Sequence, residues 1–358
     1  MTATKPGCLL IVAMKPARPA TLQDVADAVG VHRTTAARAL SNTPGINAET
    51  RAAVQAAAER LGYRANPLVA ALMRARRSGR QEKGQVIAYL TCHPTRHGWR
   101  PPADPRPDFF PGAQARAAEF GYRLEDFWLK AQNMSPERMA AILRTRGIHG
   151  VLVGRLPVGQ RELDFDFAPF SSVALGLTLE SPRLHHVAED HFFTARHAMM
   201  QCIERGYRRI GLVWATRNDY ARVGDRWLGG FACQQHRLPE RDRLPPFERD
   251  DDQAAFHRWL REHRPDALLS TNAAATARWL QSAGWRTPQD VGLVDLRWND
   301  PASGITGIRY HAPRLGALAV DMLVGLLHRH ESGVPVDPHE VLLKGEWVEG
   351  NTLPRRSG

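Results

Sequence analysis

The chain has 358 residues, 43% of them hydrophobic and 24% charged. That balance excludes wholesale disorder, and the length leaves room for two or three domains, each with its own core. The formal net charge is +11 and unevenly spread: residues 1–83 hold 13 Lys and Arg against 5 Asp and Glu, so +8 of the excess lies there. A basic end on a nearly balanced body suits an N-terminal module that binds a polyanion.

At the N-terminus, "CLLIVAM" (residues 8–14) is too short to span a bilayer and short for a signal-peptide core. Residues 1–20 are read as an N-terminal extension, with Met14-Lys15-Pro16 an alternative natural start. Thr21 then suits a helix N-cap, with Asp24 three residues on. Leu22, Val25, Ala26 and Val29 repeat at helical spacing, and Gly30 ends the helix. A second short helix is expected over about Arg33–Leu40, with Val31, Ala36, Ala39 and Leu40 inward. Pro44-Gly45 breaks the chain, and Asn47 caps a third helix with the stripe Ile46, Val54, Ala58 and Leu61, closed by Gly62. Two short helices around a glycine turn, clasped by a third, make an all-α helix-turn-helix headpiece, here bounded at residues 21–64.

On the second helix Arg33, Thr34, Ala37 and Arg38 share the face opposite the inward residues. Such a face enters the DNA major groove, where an arginine reaches guanine O6 and N7 and a threonine meets a base edge or the thymine methyl. An isolated helix with this face would be read as solvated; the three-helix pattern and the basic charge favour DNA.

The stretch "TLQDVADAVGVHRTTAARALSNTPGINAETRAAVQAAAERLGYRANPLVAALM" (residues 21–73) resembles the headpiece of the lactose-repressor (LacI) family of bacterial transcription regulators. The resemblance implies base reading by Arg33, Thr34 and Arg38, and phosphate contacts from Thr21, Thr35, Asn42 and Tyr63. His32 departs from it, standing where the family usually has a serine N-cap. Residues 65–84 correspond to the family's hinge helix and linker; Leu72 matches the wedge that enters the minor groove, and Arg74, Arg76, Arg77 and Arg80 add phosphate attraction.

From Gln85, short apolar runs alternate with helical stretches: "VIAYLT" (86–91), "YRLEDF" (122–127), "GVLV" (150–153) and "SVAL" (172–175), then "IGLVW" (210–214), "ALLS" (267–270) and "VGLVDL" (291–296). Such runs imply parallel sheets, and the break near residues 176–190 implies two α/β lobes. Ligands bind outside the carboxyl ends of strands in such sheets.

The stretches "RGYRRIGLVW", "RWLGGF" and "PDALLSTN" resemble the family's periplasmic-binding-protein-like sensor, placing an effector-binding and dimerisation domain at 85–350 and a tail at 351–358. The resemblance implies effector contacts from Phe109, Phe110, Arg226 and Asn272. Arg297 replaces an acid that often binds sugar or purine polar groups, and Ala273 replaces an aspartate. An acid-to-base change beside Arg226 implies an anionic effector, a sugar acid or a phosphorylated sugar, unless Arg297 pairs with Asp295 or Asp300. The Pro- and Arg-rich loop at 92–110 is a lid or an exposed insertion.

Cys8, Cys92, Cys202 and Cys233 lie far apart without a CxxC pair, which fits reduced thiols and cytoplasmic residence, and the scattered histidines lack metal-ligand spacing. No cofactor or metal is implied. Nucleophile-elbow and phosphate-loop motifs are absent, so an enzyme is the weaker reading. A solute-binding protein would fit the body but not the headpiece. The expectation is a homodimeric repressor on pseudo-palindromic operator DNA, answering to a small-molecule effector. The open alternative is a DNA binder with a non-functional cleft.

Overall fold

The computed structural model describes residues 21–40, 46–61, 85–100, 108–214, 223–248 and 252–356. It divides into two compact units, residues 1–82 and 83–358.

In the first unit, α1 (Leu22–Val29), α2 (Arg33–Leu40) and α3 (Ala48–Arg60) pack around Val25, Ala26, Ala36, Ala39, Val54, Ala57 and Ala58. Thr21 and Asp24 form a capping box: the Asp24 N–H donates to Thr21 Oγ1 at 3.3 Å, and the Thr21 N–H donates back to Asp24 Oδ2 at 2.7 Å. Such caps stabilise by about 1 kcal/mol. Gly30 ends α1 with φ 69°, a left-handed geometry that glycine adopts without strain. Asn47 caps α3 through the Thr50 N–H at 2.7 Å. The core is small because its alanines let the three helices approach closely. One inward expectation is corrected. Leu61 occupies the C-cap of α3 and is 39% exposed, while Ala57, four residues earlier, points into the core. The stripe ends where the helical repeat ends. Gly62 lies outside the described residues.

The second unit is built on two sheets. The first runs β10-β5-β4-β3-β1-β2, all parallel, from β1 (Val86–Thr91), β2 (Arg123–Trp128), β3 (Gly150–Val153), β4 (Ser171–Leu175), β5 (His185–Glu189) and β10 (Glu340–Leu343). The second runs β11-β9-β8-β7-β6, from β6 (Ile210–Val213), β7 (Ala267–Ser270), β8 (Gly292–Trp298), β9 (Thr306–Arg309) and β11 (Glu346–Val348). Here β11 is antiparallel to β9, an exception to the all-parallel expectation. The β1, β3, β4, β6 and β7 runs are apolar because helices cover both faces of each sheet. On the first sheet these are α4 (Phe110–Glu119), α5 (Pro136–Thr145) and α10 (Ala312–Arg329). On the second they are α6 (His191–Glu204), α7 (Arg226–Gln235), α8 (Gln253–His263) and α9 (Ala273–Ser282).

The chain passes between the lobes three times: from β5 into α6 at Asp190, from β9 into α10 near Tyr310, and from β10 into β11 at Lys344-Gly345. The apolar runs of the sequence point only to the first. The return through α10 and β10 means that each lobe is completed by chain from the other side of the crossing.

Candidate functional site

On α2, Ala36 and Ala39 are buried, while Arg33, Thr34 and Arg38 are exposed together on the opposite face. The helix starts without a serine, and His32 takes over the capping duty. Its Nδ1 accepts the Thr34 N–H at 3.3 Å and lies 2.8 Å from Thr34 Oγ1. Because Nδ1 already accepts from the backbone, the Thr34 hydroxyl donates to it, and its methyl and lone pairs are set in one orientation. Thr21 is engaged in its capping box, and Thr35 is half-buried beside the exposed face. Asn42, Tyr63, Leu72 and the hinge arginines lie outside the described residues.

In the second unit, Phe109, Arg155, Glu189, His191, Arg226, Asn272, Arg297 and Tyr310 stand at or just past strand C-termini or helix N-termini. That is where the topology places a cleft. Phe109 is buried under the Arg155 guanidinium, 4.2 Å from its ring centroid, a cation–π contact of about 0.5–2 kcal/mol. Phe110 packs into the core instead, 5.2 Å from the Tyr89 ring and 5.3 Å from Trp99. Trp99 and Arg100 thereby tether one flank of the 92–110 loop, and Arg100 pairs with Asp108 at 2.5 Å; residues 101–107 lie outside the described residues.

Arg226 opens α7 and pairs with Glu340 of β10 at 2.8 Å, one lobe reaching the other. A groove of about 600 Å³ adjoins this pair, lined also by Arg161, Glu180, Arg183 and His186. The "RWLGGF" stretch that carries Arg226 is explained by packing: a Cβ on Gly230 would run into the Phe192 carbonyl oxygen of α6. Asn272 caps α9, accepting the Ala275 N–H at 3.1 Å, and its side chain stays at the surface. Arg297 follows the apolar part of β8, and its backbone N–H donates to Asp295 at 2.9 Å. Burial pushes the Asp295 carboxyl up to about 6, against the opposing pull of that hydrogen bond and of the Arg297 charge.

The residues that sequence reasoning missed surround His191. Thr194 Oγ1 donates to the Asp190 carbonyl at 2.9 Å, Tyr310 donates to Thr194 at 3.0 Å, and His191 Nδ1 donates to the Tyr310 oxygen at 3.1 Å. The direction of that chain leaves Nε2 as an acceptor. The ring packs on Trp227, centroids 4.7 Å apart. Burial first, then the positive fields of Arg297, Arg155 and Arg226, push His191 down to about 3, so it is neutral at physiological pH. Its Nε2 faces the buried Glu189 carboxylate at 4.0 Å.

Elsewhere, Cys92 and Cys202 are buried thiols and Cys233 an exposed one. His185 accepts the His339 N–H at 2.9 Å in a structural role. Among the described residues, no group of three His, Cys, Asp or Glu is arranged to hold a metal, and no helix is long and apolar enough to cross a membrane.

A three-helix unit with a cationic face, followed by a two-lobed α/β unit with polar groups at the strand ends, defines a regulator that joins a helix-turn-helix module to a periplasmic-binding-protein-like sensor fold. Residues 21–66 match the profile of bacterial regulatory proteins of the lacI family, and residues 199–353 match the periplasmic binding protein-like domain. The chain belongs to the LacI family. It is 24% identical over 292 residues to the NTD biosynthesis operon regulator NtdR of Bacillus subtilis, covering 76% of this chain and 81% of that one. It is 24% identical over 338 residues to the transcriptional repressor PurR of Haemophilus influenzae, covering 88% and 93%. Its fold is similar to the lac repressor dimer bound to operator and the anti-inducer ONPF, with TM-score 0.54 and 18% identity over 94% of this chain and 100% of that one.

Proposed function

We propose that this protein is a sequence-specific transcription regulator, a repressor acting as a cytoplasmic homodimer, whose affinity for a pseudo-palindromic operator is set by a small molecule held between the lobes of its second unit. The carrying observation is the face of α2, where Arg33, Thr34 and Arg38 are exposed together while Ala36 and Ala39 anchor the helix to its core. In this reading those three residues read bases. Thr21, Thr35, Asn42 and Tyr63 hold phosphates, and Leu72 of a hinge at 65–84 enters the minor groove. Phe109, Phe110, Arg226, Asn272 and Arg297 belong to the effector side, Phe110 as packing behind Phe109. No residue is given a catalytic role. The likeness to a repressor dimer seen with operator and a small ligand supports dimerisation, operator binding and the effector site.

Effector binding would change the relation between the lobes at the three crossings and bias hinge pairing, a coupling of about 1–3 kcal/mol. Selection of bound fragments from random DNA tests the reading. Inverted repeats are the expected product; recovery of sequences no different from the input pool would overturn it.

A further inference from the structure

Glu189 ends β5 as a carboxylate more than nine-tenths buried, and it stands 4.0 Å from the Nε2 of His191. The Thr194–Tyr310–His191 chain has already spent the imidazole's proton on Tyr310, so two acceptors face each other. Two acceptors 4.0 Å apart can both be met by one donor oxygen placed about 2.8 Å from each. Around this point stand guanidinium groups from three separate elements: Arg155 past β3, Arg226 at the start of α7 and Arg297 on β8. All three bear on the same imidazole. Arg226 is shared with Glu340 of the opposite lobe, and Asp295 takes the backbone N–H of Arg297. Phe109 and Trp227 supply flat apolar walls. Guanidinium groups enclosed as lobes close are best compensated by ligand oxygens that carry charge.

We propose that the cleft takes a polyhydroxylated anion, a sugar acid or sugar phosphate, whose charged group faces Arg155 and Arg297 while one hydroxyl donates jointly to Glu189 and His191 Nε2. This rests on the cleft being the effector site. It adds to that reading the chemical class of the effector and three residues, Arg155, Glu189 and His191, that the family resemblance does not single out. Glu189 and His191 select for a hydroxyl, and the arginines for the charge.

The test is calorimetry and thermal shift on the full-length protein with matched probes. These are five- and six-carbon aldoses, their aldonates and uronates, their phosphate esters, and straight-chain carboxylates of the same length without hydroxyls. Binding is expected from the aldonate, uronate or phosphate series, the arms showing which anion is used. Arg297→Asp should weaken it at least tenfold. Glu189→Gln should weaken it about tenfold while leaving the melting temperature of the free protein near that of wild type; Arg155→Gln serves as a second variant that leaves the buried chain untouched. A neutral aldose that binds wild type and Arg297→Asp alike, or a plain carboxylate that binds as tightly as its hydroxylated partner, would overturn the proposal and leave the effector site standing. A panel in which no anion binds overturns it as well. Operator selection, which uses no ligand, reports separately on whether the protein is a regulator at all.

Discussion

The Nδ1 of His191 lies 3.1 Å from the hydroxyl of Tyr310, and that hydrogen bond fixes the imidazole as neutral within a cationic neighbourhood. Holding a histidine at about 3 costs stability in acid. Between pH 3 and 6.5 the unfolded chain binds a proton that the folded chain does not, so stability rises with pH across that window and falls as pH drops. The full effect is at most about 5 kcal/mol, since each tenfold difference in proton affinity between the two states is worth about 1.4 kcal/mol. All nine tryptophans follow Lys83 in sequence, so their fluorescence reports the second unit alone. Urea unfolding followed by that signal should show the slope, and His191→Phe should flatten it. An unchanged slope in the variant would show that His191 titrates normally.

Asp295 works in the opposite direction. Its carboxyl is held up to about 6, above its unfolded value of 3.8, so the folded chain binds the extra proton between about pH 4 and 6 and stability is lost as pH rises through that range. Asp295→Asn keeps an oxygen for the Arg297 N–H and removes the buried charge. It should therefore stabilise the second unit by about 1–3 kcal/mol at about pH 7.5 and have little effect at about pH 4. Equal effects at both pH values would place the gain elsewhere.

Most of the scaffold is legible in the sequence for one reason: β1, β3 and β7 are covered on both faces, so each must be a short apolar run. The exceptions break that rule physically. In "HHVAE" (β5), His185 and Glu189 are buried although polar, so composition disguises a sheet strand. The strands β10 and β11 are half-exposed, which gives them no continuous apolar signal, and their sheets depend on the third crossing. The site divides likewise. Arg226, Asn272 and Arg297 come from resemblance, whereas Glu189, His191 and Tyr310 meet only because β5, α6 and β9 converge. The rule that ligand groups lie past strand C-termini would have found Arg155 and Glu189 had β5 been recognised.

Gly230 is required by the contact between α6 and α7. Gly230→Ala forces the new Cβ against the Phe192 carbonyl, side chain against backbone, and should destabilise by about 1–3 kcal/mol. Because α7 carries Arg226 at its start, the variant should also weaken ligand binding in the cleft beyond what its stability loss explains. Calorimetry well below the variant's melting temperature separates the two effects; full-strength binding there would show that α7 is free to shift without moving Arg226.

Arg38 and Arg76 belong to different classes of contact in the proposed complex. Arg38→Ala should relax base preference at one position per half-site, costing about 1–3 kcal/mol on the best operator and little on random DNA. Arg76→Ala should weaken all sequences alike and reduce the salt slope by about one. Fluorescence anisotropy across a salt series on both DNAs distinguishes them. Equal losses from both variants on both DNAs would contradict the groove assignment.

His32 combines a structural duty with control of a base-reading side chain, since Nδ1 both caps α2 and holds the Thr34 hydroxyl. Removing it should cost the first unit about 0.5–1 kcal/mol, as loss of a cap generally does. Freed from Nδ1, the Thr34 hydroxyl can rotate and donate to a base, so the pair it faces should change in selected sites. His32→Ser separates the two duties. A serine oxygen can accept the N–H of α2 and restore the cap, but it does not reproduce the imidazole's hold on Thr34. Selection with His32→Ala and His32→Ser should therefore give the same altered base preference, while overall affinity recovers only in the serine variant. Recovery of the wild-type preference by serine would mean that the cap alone orients Thr34 and that the imidazole adds nothing to recognition.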